Sequence, residues 1–188
     1  MYRQYGKRCC DITIAGFALL VLAPVLLLTG LFIAFEDGSP VVFRQSRIGA
    51  RLRKFTIYKF RSMPLDTKSI SSDKARDLKI TRVGKVIRRT NIDELPQLVN
   101  ILKGDMSIVG PRPALPSQES LIEIRMSNGS SLLRPGLTGL AQINAYDGMT
   151  PAEKAEFDGK YAKDVTFVGD LWIFFRTFVY LFERPPVY

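Results

Sequence analysis

The 188-residue sequence contains no histidine, and its acidic residues are few beside its basic ones. Without histidine, a group that exchanges protons near neutral pH has to be an aspartate, a glutamate, a lysine, a tyrosine or a cysteine. The sequence has 18 aspartates and glutamates against 27 lysines and arginines, which gives a net charge of +9. This charge predicts an anionic partner, such as phospholipid, a phosphorylated small molecule or nucleic acid.

Cysteine occurs only twice, as the adjacent pair Cys9 and Cys10. Adjacent cysteines are poorly placed to bond to each other, so the sequence does not predict a disulfide framework and suits a reducing compartment. We interpret both residues as apolar side chains near a membrane boundary.

Charge is missing altogether from Ile12 to Phe35, a run that would reach roughly 36 Å as a straight helix and cross a bilayer. A cleaved signal peptide is not expected, because the run is too long and no A-x-A site follows it. Basic residues flank both ends, and the positive-inside rule would keep both flanks in the cytoplasm. These residues are Arg3, Lys7 and Arg8 before the run, and Arg44, Arg47, Arg51, Arg53, Lys54, Lys59 and Arg61 after it.

Pro24 lies at the midpoint of this run, where a proline removes a backbone donor and bends a helix. Each arm is then roughly 17 Å long, about half the depth of the hydrocarbon core. The sequence therefore predicts a re-entrant helix, which enters the membrane, turns at Ala23 and Pro24, and returns. An ordinary transmembrane helix with a kink is the alternative.

The rest of the sequence shows patterns of both kinds of secondary structure. Two short strands on either side of Gly49 predict a β-hairpin, and Gly104 predicts the end of a helix. The aromatic-rich segment 170–184 predicts an amphipathic helix, either on the membrane interface or in the core. The predicted strands are Val41–Gln45 and Lys54–Phe60, the predicted helices lie in the second half of Ile80–Thr90, at Ile92–Leu102 and from Pro151 onward, and a flexible loop is predicted at Pro64–Lys79.

These elements predict a mixed α+β fold that is mostly helical. We expect two parts: residues 1–37 form the re-entrant membrane helix with its basic N-terminus, and residues 38–188 form a cytoplasmic, membrane-associated domain. That domain would contain the small β-hairpin and interfacial amphipathic helices.

Two adjacent acids, Asp93 and Glu94, stand out in the mostly basic middle of the sequence. Pro96 is expected in the first turn of a helix, which puts both acids at the N-terminus of that helix, and Asn91 to Glu94 has the spacing of a capping box. Acids at a helix N-terminus also complement the positive end of the helix dipole. Helix capping is therefore one interpretation of this pair.

Phosphoryl transfer is the other interpretation. The dipole, with Arg88 and Arg89, would keep a carboxylate ionised, and an ionised aspartate can attack phosphorus. The neighbouring carboxylate could help to hold Mg²⁺. Arg112 between two prolines and Arg134 before Pro-Gly are arginines in stiff turns, suited to phosphate oxygens. Together these residues indicate a phosphoryl-transfer site at a membrane surface.

Three motifs behind the apolar run carry a specific resemblance. They are "KFRSM" at Lys59–Met63, "DELPQLVNILKGDMSIVGPRP" at Asp93–Pro113 and "RPGLTGLAQIN" at Arg134–Asn144. In this order they closely resemble the bacterial sugar transferase family, whose small members are monotopic phosphoglycosyl transferases. The likeness covers nearly the whole chain, from about Tyr2 to Phe178.

The resemblance implies a transferase on the cytoplasmic face of the bacterial inner membrane. Family members pass a sugar-1-phosphate from a UDP-sugar to polyprenyl phosphate such as undecaprenyl phosphate and release UMP, at the start of glycoconjugate assembly. In their two-step route, the aspartate matching Asp93 attacks the sugar-bearing phosphate, and polyprenyl phosphate then attacks the phospho-enzyme. Mg²⁺ is the implied cofactor, held by Asp93 and Glu94. Membrane phospholipids and downstream glycosyltransferases are the other expected partners, and nucleic acid is not expected.

The resemblance also assigns further site residues. Five basic residues match positions around the phosphates, two amides match the loop near the nucleotide sugar, and two late acids match family positions of open role. These are Lys59, Arg61, Arg88, Arg112 and Arg134, then Gln142 and Asn144, and finally Asp158 and Asp170, for which surface charges on a helix are the alternative.

The sequence departs from the family pattern at two places. Ala23 stands before Pro24 where the family usually has serine, which removes a hydroxyl from the bend. Ala145 and Tyr146 stand where many members have Gly-Arg, which leaves the identity of the sugar open. Two non-catalytic interpretations also remain: a basic membrane-anchored module that binds anionic lipid or nucleic acid, and a bitopic scaffold for polysaccharide assembly.

Overall fold

The computed structural model describes residues 1–65, 80–144 and 149–183. This part of the chain is mostly helical and contains two two-stranded sheets, which confirms the mixed, mostly helical architecture. The helices are α1 (Lys7–Asp37), α2 (Arg82–Arg89), α3 (Gln97–Lys103), α4 (Glu119–Ser127), α5 (Leu140–Ile143), α6 (Pro151–Lys163) and α7 (Phe167–Glu183). The strands are β1 (Val42–Ile48), β2 (Lys54–Phe60), β3 (Ser107–Val109) and β4 (Gly136–Thr138).

The long apolar run forms α1, which follows a π-helical turn and continues through Pro24. Within the described residues, one helical stretch, Tyr2–Asp37, is long and apolar enough to cross a membrane. A re-entrant turn at Ala23 and Pro24 stays a prediction.

Both ends of α1 are bonded to the rest of the chain. Near its start, Oδ1 of the buried Asp11 accepts a hydrogen bond from the backbone N–H of Ile108 in β3 at 2.9 Å. At its end, the two carboxylate oxygens of Glu36 accept from the first two backbone N–H groups of α2, at 2.6 and 2.8 Å. The helix is therefore bonded to later parts of the chain at two places.

Large apolar side chains cover the outward surface of α1. Their exposure has a physical explanation if lipid covers them, since a contiguous apolar surface of this kind marks a partner or a membrane. The exposed residues are Ile12, Ile14, Phe17, Leu20, Val21, Val25, Leu27, Leu28, Leu31, Phe32 and Phe35.

The predicted hairpin is confirmed. Strands β1 and β2 pair antiparallel over seven residues, from Val42 opposite Phe60 to Ile48 opposite Lys54, so β1 runs three residues further than the prediction. The turn between them contains a short 3₁₀ segment, Ala50–Leu52. The hairpin places the Lys59 side chain at the end of β2 next to the candidate site.

The prediction of one continuous helix over Ile92–Leu102 is wrong. Asn91 has a left-handed φ of 55°, Ile92–Glu94 form a single 3₁₀ turn, and α3 begins only at Gln97. The predicted stop is confirmed, because Gly104 ends α3 with a φ of 92° that favours glycine. The break puts the two acids in a separate tight turn ahead of α3.

Strand β3 and the helices α4 and α5 were missed by the sequence analysis. Strand β3 pairs in parallel with β4, and α4 lies between them in the chain.

The helix predicted from Pro151 is confirmed as α6, which begins with a capping box between Thr150 and Glu153. Most of the predicted loop Pro64–Lys79 lies outside the described residues.

The last helix, α7, has two different sides. Ile173 is buried in the main core with Ile101, Met106 and Tyr161, while Trp172 is exposed. The core interpretation is therefore confirmed for the buried side of α7, and a position of its exposed side in the membrane interface stays a prediction. The exposed apolar residues of α7 are Phe167, Val168, Leu171, Trp172, Phe175, Phe178 and Val179.

Candidate active site

The acidic pair is buried. Asp93 is 6% exposed and Glu94 is 9% exposed, although both lie in a turn between two helices. In the described chain the Asn91 side chain makes no capping hydrogen bond to this turn, and α3 begins after Pro96. Capping therefore does not account for the pair.

Glu94 is held by two cations. The Lys59 ammonium donates to Oε1 of Glu94 at 2.6 Å, and Nη2 of Arg112 donates to the same oxygen at 3.0 Å. Burial alone would raise the pKa of Glu94, but Arg112 and Lys59 outweigh burial and hold that pKa well below its ordinary value. Glu94 is therefore a permanent anion, in contact with the hairpin and with the proline-flanked arginine.

Asp93 has a different environment. Its Oδ1 atom is buried and has no hydrogen-bond partner among the residues that the structure describes. Burial raises the pKa of Asp93 from 3.8 to about 6, against the opposing effect of Lys59, while Glu94 raises it further and Arg88 and Arg112 lower it. The expectation that nearby arginines would simply keep this carboxylate ionised is therefore too simple. At neutral pH the group is still mostly an anion, and it is a destabilised one.

Asn100, which the sequence analysis missed, holds α3 against the hairpin. This residue is fully buried, its Oδ1 accepts from the Tyr58 N–H at 3.1 Å, and its Nδ2 donates to the Thr56 carbonyl at 2.7 Å. These bonds link α3 to β2, one residue away from Lys59. A polar residue in the middle of the apolar stretch "LVNIL" was the available signal.

Arg88 lies beside the acidic pair. Its Nε donates to Ser62 Oγ at 2.8 Å, and its charge lowers the pKa of Asp93. Five basic residues were assigned to the site from the sequence. Three of them, Arg88, Lys59 and Arg112, surround the two acids.

Arg61 and Arg134 are engaged elsewhere. Arg61 is buried, forms an ion pair with Asp37 at 3.0 Å and donates to the backbone carbonyls of residues 37, 38 and 40, so it fastens the end of α1. Arg134 Nε donates to the Gly104 carbonyl at 3.0 Å, at the end of α3 remote from the acids. Their binding of phosphate stays a prediction.

The two predicted amides differ in environment. Both polar atoms of the Gln142 side chain are buried without a hydrogen-bond partner in the described ranges. Gln142 lies beside Gly139, where an added Cβ would come within 2.7 Å of Gln142 Oε1 and within 2.1 Å of the Gly110 carbonyl oxygen. Asn144 is exposed and donates to the Leu140 carbonyl. Ala145 and Tyr146 lie outside the described residues.

The two late acids are buried, so they are not surface charges. Asp158 accepts two hydrogen bonds from Arg125, at 2.8 and 2.6 Å. Asp170 accepts from the hydroxyls of Tyr2 and Tyr161, each at 2.6 Å, and forms an ion pair with Lys7. Asp170 thus joins the start of the chain to α6 and α7.

The acidic pair offers oxygen ligands of the kind that Mg²⁺ prefers. No group of three potential ligand side chains occurs within the described ranges. Mg²⁺ near phosphates, however, commonly uses only one or two carboxylates together with phosphate oxygens and water. The unpartnered Asp93 Oδ1 is an available hard acceptor, and Glu94 is ionised, so the residues present fit the ion.

Comparison with known proteins shows strong similarity. Residues 2–184 match the family model described as bacterial sugar transferase. The chain is 40% identical over 181 residues to the UDP-N-acetylgalactosamine-undecaprenyl-phosphate N-acetylgalactosaminephosphotransferase of Aeromonas hydrophila, covering 91% of this chain and 42% of that protein. It is 39% identical over 167 residues to the uncharacterized sugar transferase EpsL of Bacillus subtilis, covering 89% of this chain and 82% of that protein.

A third relative has a different sugar in its name. The UDP-glucose:undecaprenyl-phosphate glucose-1-phosphate transferase of Escherichia coli is 38% identical over 193 residues, covering 97% of this chain and 41% of that protein. This chain therefore spans less than half of the length of two of these three relatives. Relatives of similar identity carry names with different sugars, so overall identity does not select the sugar.

Proposed function

Because this chain belongs to the bacterial sugar transferase family, we propose that it transfers a sugar-1-phosphate from a UDP-sugar to polyprenyl phosphate and releases UMP. The observation that carries the proposal is the difference between the two acids of the pair. The negative charge of Glu94 is balanced by Lys59 and Arg112, while Asp93 keeps a buried oxygen without a hydrogen-bond partner. A membrane-bound acceptor lipid fits the exposed apolar surface of α1.

In the first proposed step, a carboxylate oxygen of Asp93 attacks the phosphorus that bears the sugar. The P–O bond to the bridging oxygen breaks, that oxygen leaves with UMP, and the sugar phosphate remains on Asp93 as an acyl-phosphate. Burial favours this attack because a desolvated anion with few hydrogen bonds has little stabilisation to lose. The raised pKa of Asp93, about 6, fits a group that is ionised yet nucleophilic at neutral pH.

In the second step, a phosphate oxygen of polyprenyl phosphate attacks the same phosphorus. The acyl-phosphate bond breaks, the Asp93 carboxylate is regenerated, and the product is a polyprenyl diphosphate sugar. No proton transfer by histidine is required in either step, because the attacking groups are anions and UMP leaves as an anion.

The surrounding cations stabilise charge on the phosphates. Arg112, half of whose side chain is exposed, can reach phosphate oxygens while it stays bonded to Glu94. Lys59 of β2 donates to Glu94, and the charge of Arg88 in α2 acts on Asp93. Bound Mg²⁺ would supply charge neutralisation between the carboxylates and the diphosphate.

A re-entrant membrane helix fits the contacts of α1. A straight helix of 31 residues would be roughly 46 Å long, and in a simple crossing its two ends would lie on opposite sides of the bilayer. Here Asp11 near the start is bonded to β3, and Glu36 at the end is bonded to α2. These two anchors support a single side for both ends, and the flanking basic residues favour the cytoplasm. The exposed aromatic residues of α7 would then lie in the membrane interface.

A panel of UDP-sugars tests the proposal. Purified protein with polyprenyl phosphate and Mg²⁺ should release UMP from at least one sugar, and excess chelator should stop the release. Glu156→Gln, which changes an exposed acid of α6, is the matched control for Asp93→Asn and should keep full activity. A lipid-binding module or a scaffold would release no UMP from any sugar of the panel. Release that is equal in Asp93→Asn and the control would move the chemistry away from this site.

A further inference from the structure

The loop that carries Arg112 has an unusual backbone. Pro111 and Pro113 on either side have no N–H group, and their rings fix φ. The loop therefore has few donors of its own, and the rest of the protein has to satisfy its buried carbonyls. The hydrogen bonds to these carbonyls fix the position of the backbone from which the Arg112 side chain extends.

Four consecutive carbonyls of this loop, from Pro111 to Ala114, each accept a hydrogen bond from a donor outside the loop. The donors are, in order, the N–H of Gly136 at 2.9 Å, Nη1 of Arg125 at 2.9 Å, Nη1 of Arg47 at 3.2 Å and the N–H of Ile48 at 2.9 Å. The bond to the Arg112 carbonyl is the one that comes from a buried charged side chain. Arg125 is 8% exposed.

Arg125 is itself fixed by a buried partner. Its Nε and Nη2 donate to Oδ2 of Asp158 at 2.8 and 2.6 Å, and Asp158 is 1% exposed. Three donors of one planar guanidinium are thereby used, two on Asp158 of α6 and one on the Arg112 carbonyl. Because the guanidinium is rigid and planar, the two bonds to Asp158 determine the direction of the third.

Stability does not explain this arrangement. A buried ion pair gains little net free energy, because the removal of both charges from water offsets their attraction, and apolar residues of similar volume are often as stable. A buried pair of this kind is better explained by the geometry that it enforces. The bonded group here is the backbone of the arginine whose side chain donates to Glu94 at 3.0 Å.

We propose that Arg125, locked by Asp158, is a positioning residue that holds the Arg112 backbone so that the Arg112 guanidinium meets Glu94 and the substrate phosphates. This inference rests on the proposed function. It gives Asp158 an indirect role: the carboxylate orients Arg125 and does not contact the substrate. The family resemblance alone left that role open.

A double-mutant cycle tests the positioning role. Arg125→Met with Asp158→Leu removes both buried charges at similar volume, so the fold should survive while the Arg112 carbonyl loses its donor. We expect kcat/KM to fall about 10- to 100-fold, since small displacements of a positioned group have effects of this size. In an Arg112→Ala background the same pair of changes should lower kcat/KM less than about 2-fold, because the residue through which they act is gone.

A control separates positioning from loosening of the helix packing. Asn128 Nδ2 donates to the Ala155 carbonyl of α6 at 2.7 Å, so Asn128→Ala weakens contacts between the region after α4 and α6 without touching the Arg112 loop. Its kcat/KM should change by the same small factor in both backgrounds. If the Arg125/Asp158 pair also gave equal losses in both backgrounds, the pair would be structural and the proposal would be wrong.

Two further measurements keep the outcome clear. Arg125→Lys keeps a cation that can bond to Asp158 or reach the Arg112 carbonyl but not both. This variant should therefore fold, and its kcat/KM should still fall about 10-fold or more.

Amide hydrogen exchange over residues 109–115 should rise at least 10-fold in the Arg125/Asp158 variant and stay unchanged in Asn128→Ala. Unchanged exchange in both variants would refute the positioning role. Absence of UMP release from wild-type protein would refute the proposed function, and the exchange comparison would still decide this inference.

Discussion

Asp93 and Glu94 are neighbours in the chain with opposite electrostatic environments. Burial dominates at Asp93, whose pKa rises to about 6, whereas Arg112 and Lys59 overcome burial at Glu94 and depress its pKa. One carboxylate is thus destabilised as an anion and the other is stabilised. The proposed mechanism requires this difference between two adjacent carboxyl groups, because one is the nucleophile and the other balances the charge of the surrounding cations.

The stability of the protein should therefore respond in opposite directions to neutralising the two acids. The pKa of Asp93 rises from 3.8 to about 6, so ionised Asp93 lowers the free energy of unfolding at neutral pH by about 3 kcal/mol. Asp93→Asn should raise that free energy by up to about 3 kcal/mol at pH 7.5. Glu94→Gln should lower it by roughly 1–3 kcal/mol, because Lys59 loses a buried partner. Urea denaturation of both variants in the same detergent measures the two changes.

The pH dependence of these changes provides the check. A raised carboxyl pKa means that the folded state binds the proton more tightly, so the penalty from Asp93 grows as pH rises from about 4 to 6. The gain in Asp93→Asn should accordingly fall to about half at pH 5. A gain of the same size at both pH values, or a loss at pH 7.5, would show that Asp93 is not a destabilised anion.

The catalytic pH profile should reflect the same carboxyl group. If Asp93 attacks as an anion, kcat/KM for UMP release should be level above about pH 7 and fall about tenfold per pH unit below about 6, as the free enzyme takes up a proton. A steady-state series from pH 5 to 8.5 in buffers of constant ionic strength measures this. An acid limb near pH 4, the value of an ordinary carboxyl group, would contradict the burial of the nucleophile.

At the scale of elements, the site depends on how α3 lies against the hairpin. Asn100→Ala removes both bonds between α3 and β2 and leaves the Tyr58 N–H and the Thr56 carbonyl unpaired. We expect the free energy of unfolding to fall by roughly 2 kcal/mol or more and kcat/KM to fall by more than the loss of folded protein explains. Asn128→Ala is the matched control, because it removes a partly buried bond from an asparagine side chain to a backbone carbonyl, far from the acids along the chain.

Activity and stability together decide this prediction. Measurements are made at a temperature where both variants are fully folded by circular dichroism. If Asn100→Ala and Asn128→Ala then had equal kcat/KM, the contact between α3 and β2 would contribute to folding and not to the alignment of Lys59 with Glu94.

Some of these elements could be predicted from the sequence because their signals are local. The alternating strands around Gly49, the stop at Gly104 and the start of α6 at Pro151 each depend on residues close in the chain. Strand β3 has three residues and is fixed by pairing with β4 across 29 positions, so no local pattern marks it. The break before α3 depends on a left-handed Asn91 and on the contacts of the two acids, which are also distant in sequence.

The candidate site was predictable in its residue types and less so in its contacts. Lys59, Arg88 and Arg112, which the resemblance places around the phosphates, lie around the acids. Arg61 and Arg134 were assigned on the same resemblance, yet they bond to carbonyls at helix ends. An arginine looks the same in sequence whether it serves a substrate or a backbone carbonyl, and only the partner distinguishes the two.

At the scale of the whole molecule, the two ends of α1 are bonded to β3 and to α2. If both ends lie in the cytoplasm, single cysteines at Gln4 and Ser46, both exposed positions, should be labelled from the same side of a sealed inverted vesicle. The test needs a background in which Cys9 and Cys10 are replaced by serine. Pro24→Ala should favour a straight crossing and lower activity by moving the domain.

The labelling result has a clear alternative. In right-side-out vesicles neither cysteine should react with an impermeant reagent until the membrane is opened. Reaction of one position in each vesicle orientation would mean that α1 crosses the bilayer, and its contacts through Asp11 and Glu36 could not then both persist.

The most direct test of the account is a single-turnover measurement without acceptor lipid. Protein given only the competent UDP-sugar and Mg²⁺ should release about one UMP per active site and then stop, with the sugar phosphate bound to Asp93. Intact mass and peptide mapping should place the adduct on that residue, and Asp93→Asn should give neither burst nor adduct. If wild-type protein released UMP only when polyprenyl phosphate was present and carried no adduct, the lipid would attack the nucleotide sugar directly and Asp93 would not be the nucleophile.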